Sequence, residues 1–170
     1  GCVALTRKYF MEGVVNERLI GRAIITCLQE LAPVHDEFIE RGWNQVLGAS
    51  GSIKAVAKVC EASGWSDGTI TLEFLDRILD AYVQRGSMDL DLPGLSDDRR
   101  PVFLGGVVVL RALFEALKLD EMIAAEWALR EGLLFDQKGR LENLDIRQAS
   151  VDALAARFRV NMDKAKAVEL

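Results

Sequence analysis

The sequence predicts a mixed α/β protein with helix in excess. Three features carry this: a long stretch from Glu17 to Arg41 with one apolar face, a short apolar run that empties into a Gly/Ser loop and then a helix, and a similar layout from Arg99 to Leu117. Asn16 is placed as the N-cap of the long helix, in which Leu19, Ile20, Ala23, Ile24, Cys27, Leu28 and Leu31 line one side, continued by Val34 and Phe38. Pro33 is expected to bend it and Gly42 to end it. Gln45, Val46 and Leu47 then read as a buried strand, Gly48 to Ser52 as the loop, and Ile53, Val56, Ala57 and Val59 or Cys60 as one face of the next helix. Ser52 is a candidate N-cap for it.

Turn residues from Ser63 to Gly68 lead to another amphipathic helix, which begins at Thr71 and Leu72, runs through Leu75, Ile78, Leu79 and Tyr82, and closes at Gly86. Asp91 to Ser96 is a loop. Pro101 steers the residue before it away from helix, so regular structure is expected to resume near Val102, with Gly105 and Gly106 opening a helix from Val107 to Leu117. Met122 to Trp127 reads as a short strand, followed by a helix from Ala128. Gly132 inside that helix implies close backbone packing, because glycine there costs about 1 kcal/mol against alanine. Beyond Asp145, the residues Ile146, Val151, Leu154, Ala155 and Phe158 outline a further helix, and Asn161 is placed to cap one more.

Composition bounds what such a chain does. With 170 residues, half of them apolar and 28% charged, it can bury one sizeable core and the beginning of a second. A net charge of -5 argues against a nucleic-acid surface built from net charge, although a local basic pocket is compatible with it. Cys2, Cys27 and Cys60 are odd in number, far apart and without a CxxC pair, so they suggest neither a disulfide framework nor a zinc site and suit a reducing cytoplasm. The run around Val107 is broken by Arg111 and Glu115 and is too short to span a bilayer, and the first ten residues lack the series of a signal peptide. The chain opens on an apolar segment without a methionine, as an internal piece of a longer protein would.

Chemistry concentrates in two places. In Gly48-Ala49-Ser50-Gly51-Ser52 the glycines let a backbone come close to a ligand, and the helix that follows offers unpartnered N–H groups and the positive end of its dipole, where an anion fits. The loop alone reads first as a tight strand-to-helix turn, since it lacks the Walker lysine and the full dinucleotide fingerprint. Arg99 and Arg100, ahead of the Gly105-Gly106 pair, can supply bidentate hydrogen bonds to phosphate oxygens. Alternatively Asp97, Asp98, Arg99 and Arg100 form a solvated charge run and the glycines serve close packing.

Taken in order, GASGS-IKA, LPGLSDDRRPVFLGG and ALREGLLFD resemble the exopolyphosphatase and guanosine pentaphosphate phosphohydrolase (Ppx/GppA) family, over nearly all of the chain to about Gly139. The resemblance implies part of an actin-like (ribonuclease H-like) α/β lobe, residues 1–140, incomplete and belonging to the second of two lobes. Residues 141–170 would begin a helical HD-type C-terminal domain, with Gln137 to Asn143 as linker. It further implies a bacterial, cytoplasmic, Mg2+-dependent homodimer that removes terminal phosphate from inorganic polyphosphate or the 5′ phosphate from guanosine pentaphosphate, with the first lobe of the same protein as partner.

By motif, Gly48, Ser50, Gly51, Ser52 and Arg99 match positions on the phosphate side of the interlobe cleft. Cys2, Gly105, Gly106, Arg130 and Glu131 match supporting positions at the cleft or hinge, with an ion pair or helix anchor favoured for the last two. The family's aspartate-and-glycine loops and its water-positioning glutamate have no counterpart in this sequence, so no catalytic residue and no metal ligand is assigned here. A non-catalytic binding module and an actin-like kinase or ATPase lobe are the alternatives. The lone His35, beside Asp36, reads as a partly exposed helix-surface residue rather than half of an HD metal pair.

Overall fold

The computed structural model of the chain describes residues 1–141 and positions 151, 155 and 157. It divides into two units by contacts, Gly1–Glu126 and Trp127–Leu170. The first unit contains the helices α1 (Cys2–Tyr9), α2 (Glu17–Arg41), α3 (Gly51–Ala62), α4 (Leu72–Arg85) and α5 (Arg100–Leu117), and the strands β1 (Leu47–Gly48), β2 (Thr69–Thr71) and β3 (Glu121–Ala124). The second contains α6 (Leu129–Leu141). Apart from helical Val151, Ala155 and Arg157, the helices expected beyond Asp145 lie outside the described residues. Of the expected linker, Gln137 to Leu141 are the last residues of α6.

α5 is the hub of the first unit, with α1, α2, α3 and α4 packed on it. Its buried residues include Phe103, Leu104, Val107, Val108, Leu110 and Phe114, and large apolar side chains of this kind contribute about 1.5–3 kcal/mol each when fully buried. α4 adds Leu75, Ile78, Leu79 and Tyr82 to the same core, while Arg111 of α5 reaches Asp76 of α4 at 3.2 Å. α2 begins where expected: the Asn16 side chain accepts a hydrogen bond from the Leu19 amide at 2.9 Å, and Gly42, at φ +64°, ends the helix. Pro33 lies inside it. From that proline onward α2 is exposed except at His35, whose ring is 37% exposed and meets Asp36 and the Ala116 carbonyl at the end of α5.

The sheet order is β1-β3-β2, with β1 parallel to β3 and β2 antiparallel to it. Because alternate residues point to opposite faces, Gly48, Ile70 and Met122 turn inward while Leu47 and Ile123, paired in register, turn outward. The strand expected at Gln45 to Leu47 is therefore corrected: it is only Leu47–Gly48, and Leu47 is 60% exposed. β2 was not anticipated, since its three residues lie between a turn-rich stretch and the Thr71 N-cap of α4. Nor was α1, which opens the chain.

The expectation that Gly105 and Gly106 open a helix also fails. α5 starts at Arg100, with Pro101 in its first turn, where the missing N–H costs nothing, so both glycines are buried mid-helix. They serve contact. A Cβ on Gly105 would clash with Thr6 Oγ1 and stand 2.5 Å from the Cys2 carbonyl oxygen, so glycine here lets α1 lie directly on α5.

Candidate phosphate site

β1 delivers the chain into the turn through a glycine that cannot be replaced without movement. A Cβ on buried Gly48 would lie 2.5 and 2.7 Å from two carbons of Ile53 and 2.8 Å from Met122 Sδ, so the strand end sits tight against the first turn of α3. Ser50, not Ser52, is the N-cap: its hydroxyl accepts the Ile53 N–H at 3.3 Å. The amides of Gly51 and Ser52 then remain as the donors of that turn without a partner inside the helix. The Ser52 side chain is turned to α5, where a Cβ on Gly106 would stand 2.9 Å from its Cβ and 3.0 Å from its Oγ.

Arg99 comes to this turn from across the sequence. A Cβ on Gly51 would fall 2.7 Å from its Nη1 and 2.9 Å from its Cζ and Nη2, so the guanidinium lies against the backbone that glycine leaves bare. A cation at a helix N-terminus opposes the helix dipole by about 0.3–1 kcal/mol, and an anion bound between them would satisfy both. Asp98 only partly offsets the charge, at 3.4 Å from Arg99 Nε, and 46% of the arginine side chain is exposed. A hydrogen bond with Ser96, then the charges of Arg99 and Lys58, hold the Asp98 carboxyl below the usual carboxylate range. Arg100, by contrast, donates to the Leu90 carbonyl at 3.3 Å, Asp91 at 3.1 Å and Asp97 at 3.0 Å, and is committed to its own loop.

The structure thus brings Gly48, Ser50, Gly51, Ser52 and Arg99 together around the α3 N-terminus, with Gly106 supporting Ser52 from behind. Cys2, at the start of α1, approaches the glycine pair through its backbone carbonyl and Cβ and is a free thiol. Cys27 and Cys60 are buried, and burial raises both thiols, Cys60 to about 11, which suits inert packing. In the second unit, Glu131 accepts the Ala128 N–H at 2.8 Å and so fastens the start of α6, while Trp127 meets Phe135 edge-on. The side chain of Arg130 lies outside the described residues.

Sequence reading missed Lys54 and Lys58, and named Asp98 only as part of a charge run. The two lysines are one turn apart on α3: Lys54 Nζ donates to the Glu126 carbonyl at 2.8 Å, and Lys58 lies near Asp98. Their i, i+4 spacing after the glycine loop was the available signal. Among the described residues no group of three or more His, Cys, Asp or Glu is arranged to hold a metal ion. Among them, too, no helix is long and apolar enough to cross a membrane.

Residues 1–141 match the model of the Ppx/GppA phosphatase family. The chain belongs to that family. A guanosine-5′-triphosphate,3′-diphosphate pyrophosphatase of Pseudoalteromonas translucida is 35% identical over 99% of this chain, which spans 34% of that relative's length. Two solved structures share the fold. The Aquifex aeolicus PPX-GPPA enzyme superposes with a TM-score of 0.63 at 21% identity, covering 79% of this chain and 46% of that one. An exopolyphosphatase-like protein superposes with a TM-score of 0.64 at 19% identity, covering 83% and 48%. The α/β fold expected from the motifs is that of these Ppx/GppA structures, which is actin-like.

Proposed function

We propose that the complete protein hydrolyses phosphoanhydride bonds, taking terminal phosphate from inorganic polyphosphate or the 5′ phosphate from guanosine pentaphosphate, and that this chain supplies one wall of the phosphate site. The observation that carries the reading is the Arg99 guanidinium resting on Gly51 at the start of α3, where a side chain and a helix end offer positive charge to one place. The guanosine pentaphosphate substrate draws on the name of the Pseudoalteromonas relative.

Hydrolysis also needs an oriented water and a carboxylate to position it, and cations to offset charge on the phosphoryl group being transferred. Gly51, Ser52 and Arg99 answer only the last requirement, by holding phosphate oxygens. The carboxylate is assigned to the remainder of the protein. The family resemblance adds a bacterial source, a cytoplasmic location, magnesium dependence and a homodimer to the proposal.

The test is Arg99→Ala in the full-length protein. A charge-assisted hydrogen bond is worth about 1.5–3 kcal/mol, so kcat/KM on polyphosphate should fall about tenfold to a hundredfold. The melting temperature should hold, because Arg99 is half exposed and, among the described residues, has one weak ion pair. Unchanged kinetics would remove Arg99 from the site; tight polyphosphate binding without any turnover would make the protein a binding module instead.

A further inference from the structure

We propose that the segment from Asp91 to Asp98, between α4 and α5, is a positioning strap for the phosphate site: laid along α3 and stapled by Arg100, it holds the Arg99 guanidinium over Gly51. Gly94 and Arg100 are then positioning residues, acting on substrate only through Arg99. The inference rests on the phosphate-site reading and adds to it the part of the chain that sets the arginine's place.

Contacts run along the helix in order. At the far end Gly94, at φ +78°, presses on α3 so closely that a Cβ would stand 2.6 Å from the Lys58 carbonyl oxygen and 2.9 Å from Ala62 Cβ. Leu95 beside it is buried in the core, and its amide closes a turn onto the Leu92 carbonyl at 3.1 Å. Further along, Asp98 feels the charge of Lys58 as well as that of Arg99. At the near end Arg99 reaches Gly51. Lys58 and Gly51 are about 10 Å apart along a helix axis, a distance that the residues from Gly94 to Arg99 can cover.

Arg100 closes the strap on itself. Its guanidinium joins Leu90 and Asp91 at the entry to Asp97 at the exit, and only 27% of the side chain remains exposed. Amides of Arg99 and Arg100 both donate to the Ser96 carbonyl, at 3.0 and 3.1 Å, which fixes the turn into α5. Adjacent arginines therefore do different work: one is consumed in holding the loop, and the other is left to meet a ligand. A guanidinium held in place before the ligand arrives loses less freedom on binding it, so the strap should raise affinity without touching phosphate.

The test is a double-mutant cycle in the full-length protein with tripolyphosphate as the probe, reading its Kd by calorimetry and the melting temperature of each variant. Gly94→Ala should weaken binding about fivefold when Arg99 is present, and by less than about twofold in an Arg99→Ala background, because residues acting as a unit are not additive. An equal loss in both backgrounds, or no loss from Gly94→Ala, overturns the strap. If Gly94→Ala does not fold, Arg100→Lys takes its place: it keeps the charge but loses the fork, and is held to the same two outcomes. Should Arg99→Ala bind tripolyphosphate as well as the unmodified protein, the phosphate-site reading fails and the strap falls with it. A large Arg99→Ala loss with additive partners sinks the strap alone.

Discussion

Tyr82 has no exposed surface, and its hydroxyl has no hydrogen-bond partner among the described residues. Burial pushes its phenol up to about 12 from 10.0, against the opposing charge of Arg100. The raised group favours the protonated folded state, so its contribution is intact below pH 10 and is lost as the pH rises from 10 toward 12, by about 3 kcal/mol. Tyr82→Phe removes an unpaired buried hydroxyl. It is expected to melt at or above the parent temperature at pH 7 and to flatten the loss measured at pH 11; a lower melting temperature at pH 7 would mean that the hydroxyl has a partner after all. Gly105 is the opposite case, a residue whose value is what it lacks. Gly105→Ala should destabilise by about 1–3 kcal/mol in a denaturant titration, despite alanine's better helix propensity, since the added methyl meets the Cys2 carbonyl and Thr6.

Among the elements, α2 shows what local chemistry can specify. Its cap at Asn16 and its stop at Gly42 are readable because a side-chain acceptor and a positive-φ glycine act within a few residues of themselves. Asn16→Ala should cost about 1 kcal/mol in thermal or denaturant unfolding, leaving the proposed phosphate site untouched. The elements misread from sequence depend instead on distant partners. β1 and β2 are two and three residues long and exist because β3 lies between them, which no periodicity in so short a run can reveal. The glycine pair pointed to a helix start because its role, room for α1 and for Ser52, lies outside α5. For the same reason residue type alone offered both arginines as phosphate ligands, and only the family resemblance singled out Arg99: the physical division between Arg99 and Arg100 is made by Asp91, Asp97 and Gly51.

At the level of the molecule, the chain spans about a third of the Pseudoalteromonas relative, and the site it builds offers cations and amides without an assigned carboxylate. These 170 residues by themselves are therefore expected to release no phosphate from polyphosphate in a colorimetric assay, and measurable turnover would show that the chemistry is assigned to the wrong part of the protein. The parallel pairing of Leu47 with Ile123 bears on how the site is born. Contacts between residues so far apart in sequence are slow to form, because the chain between them must first be closed into a loop. During synthesis Gly48 leaves the ribosome ahead of Met122, which packs against it, and of the strand that pairs with it, since these follow only after α3, α4 and α5 have been made. The proposed anion cradle is thus among the last features the unit acquires, and a nascent chain interrupted before Ala124 would carry the loop without its floor.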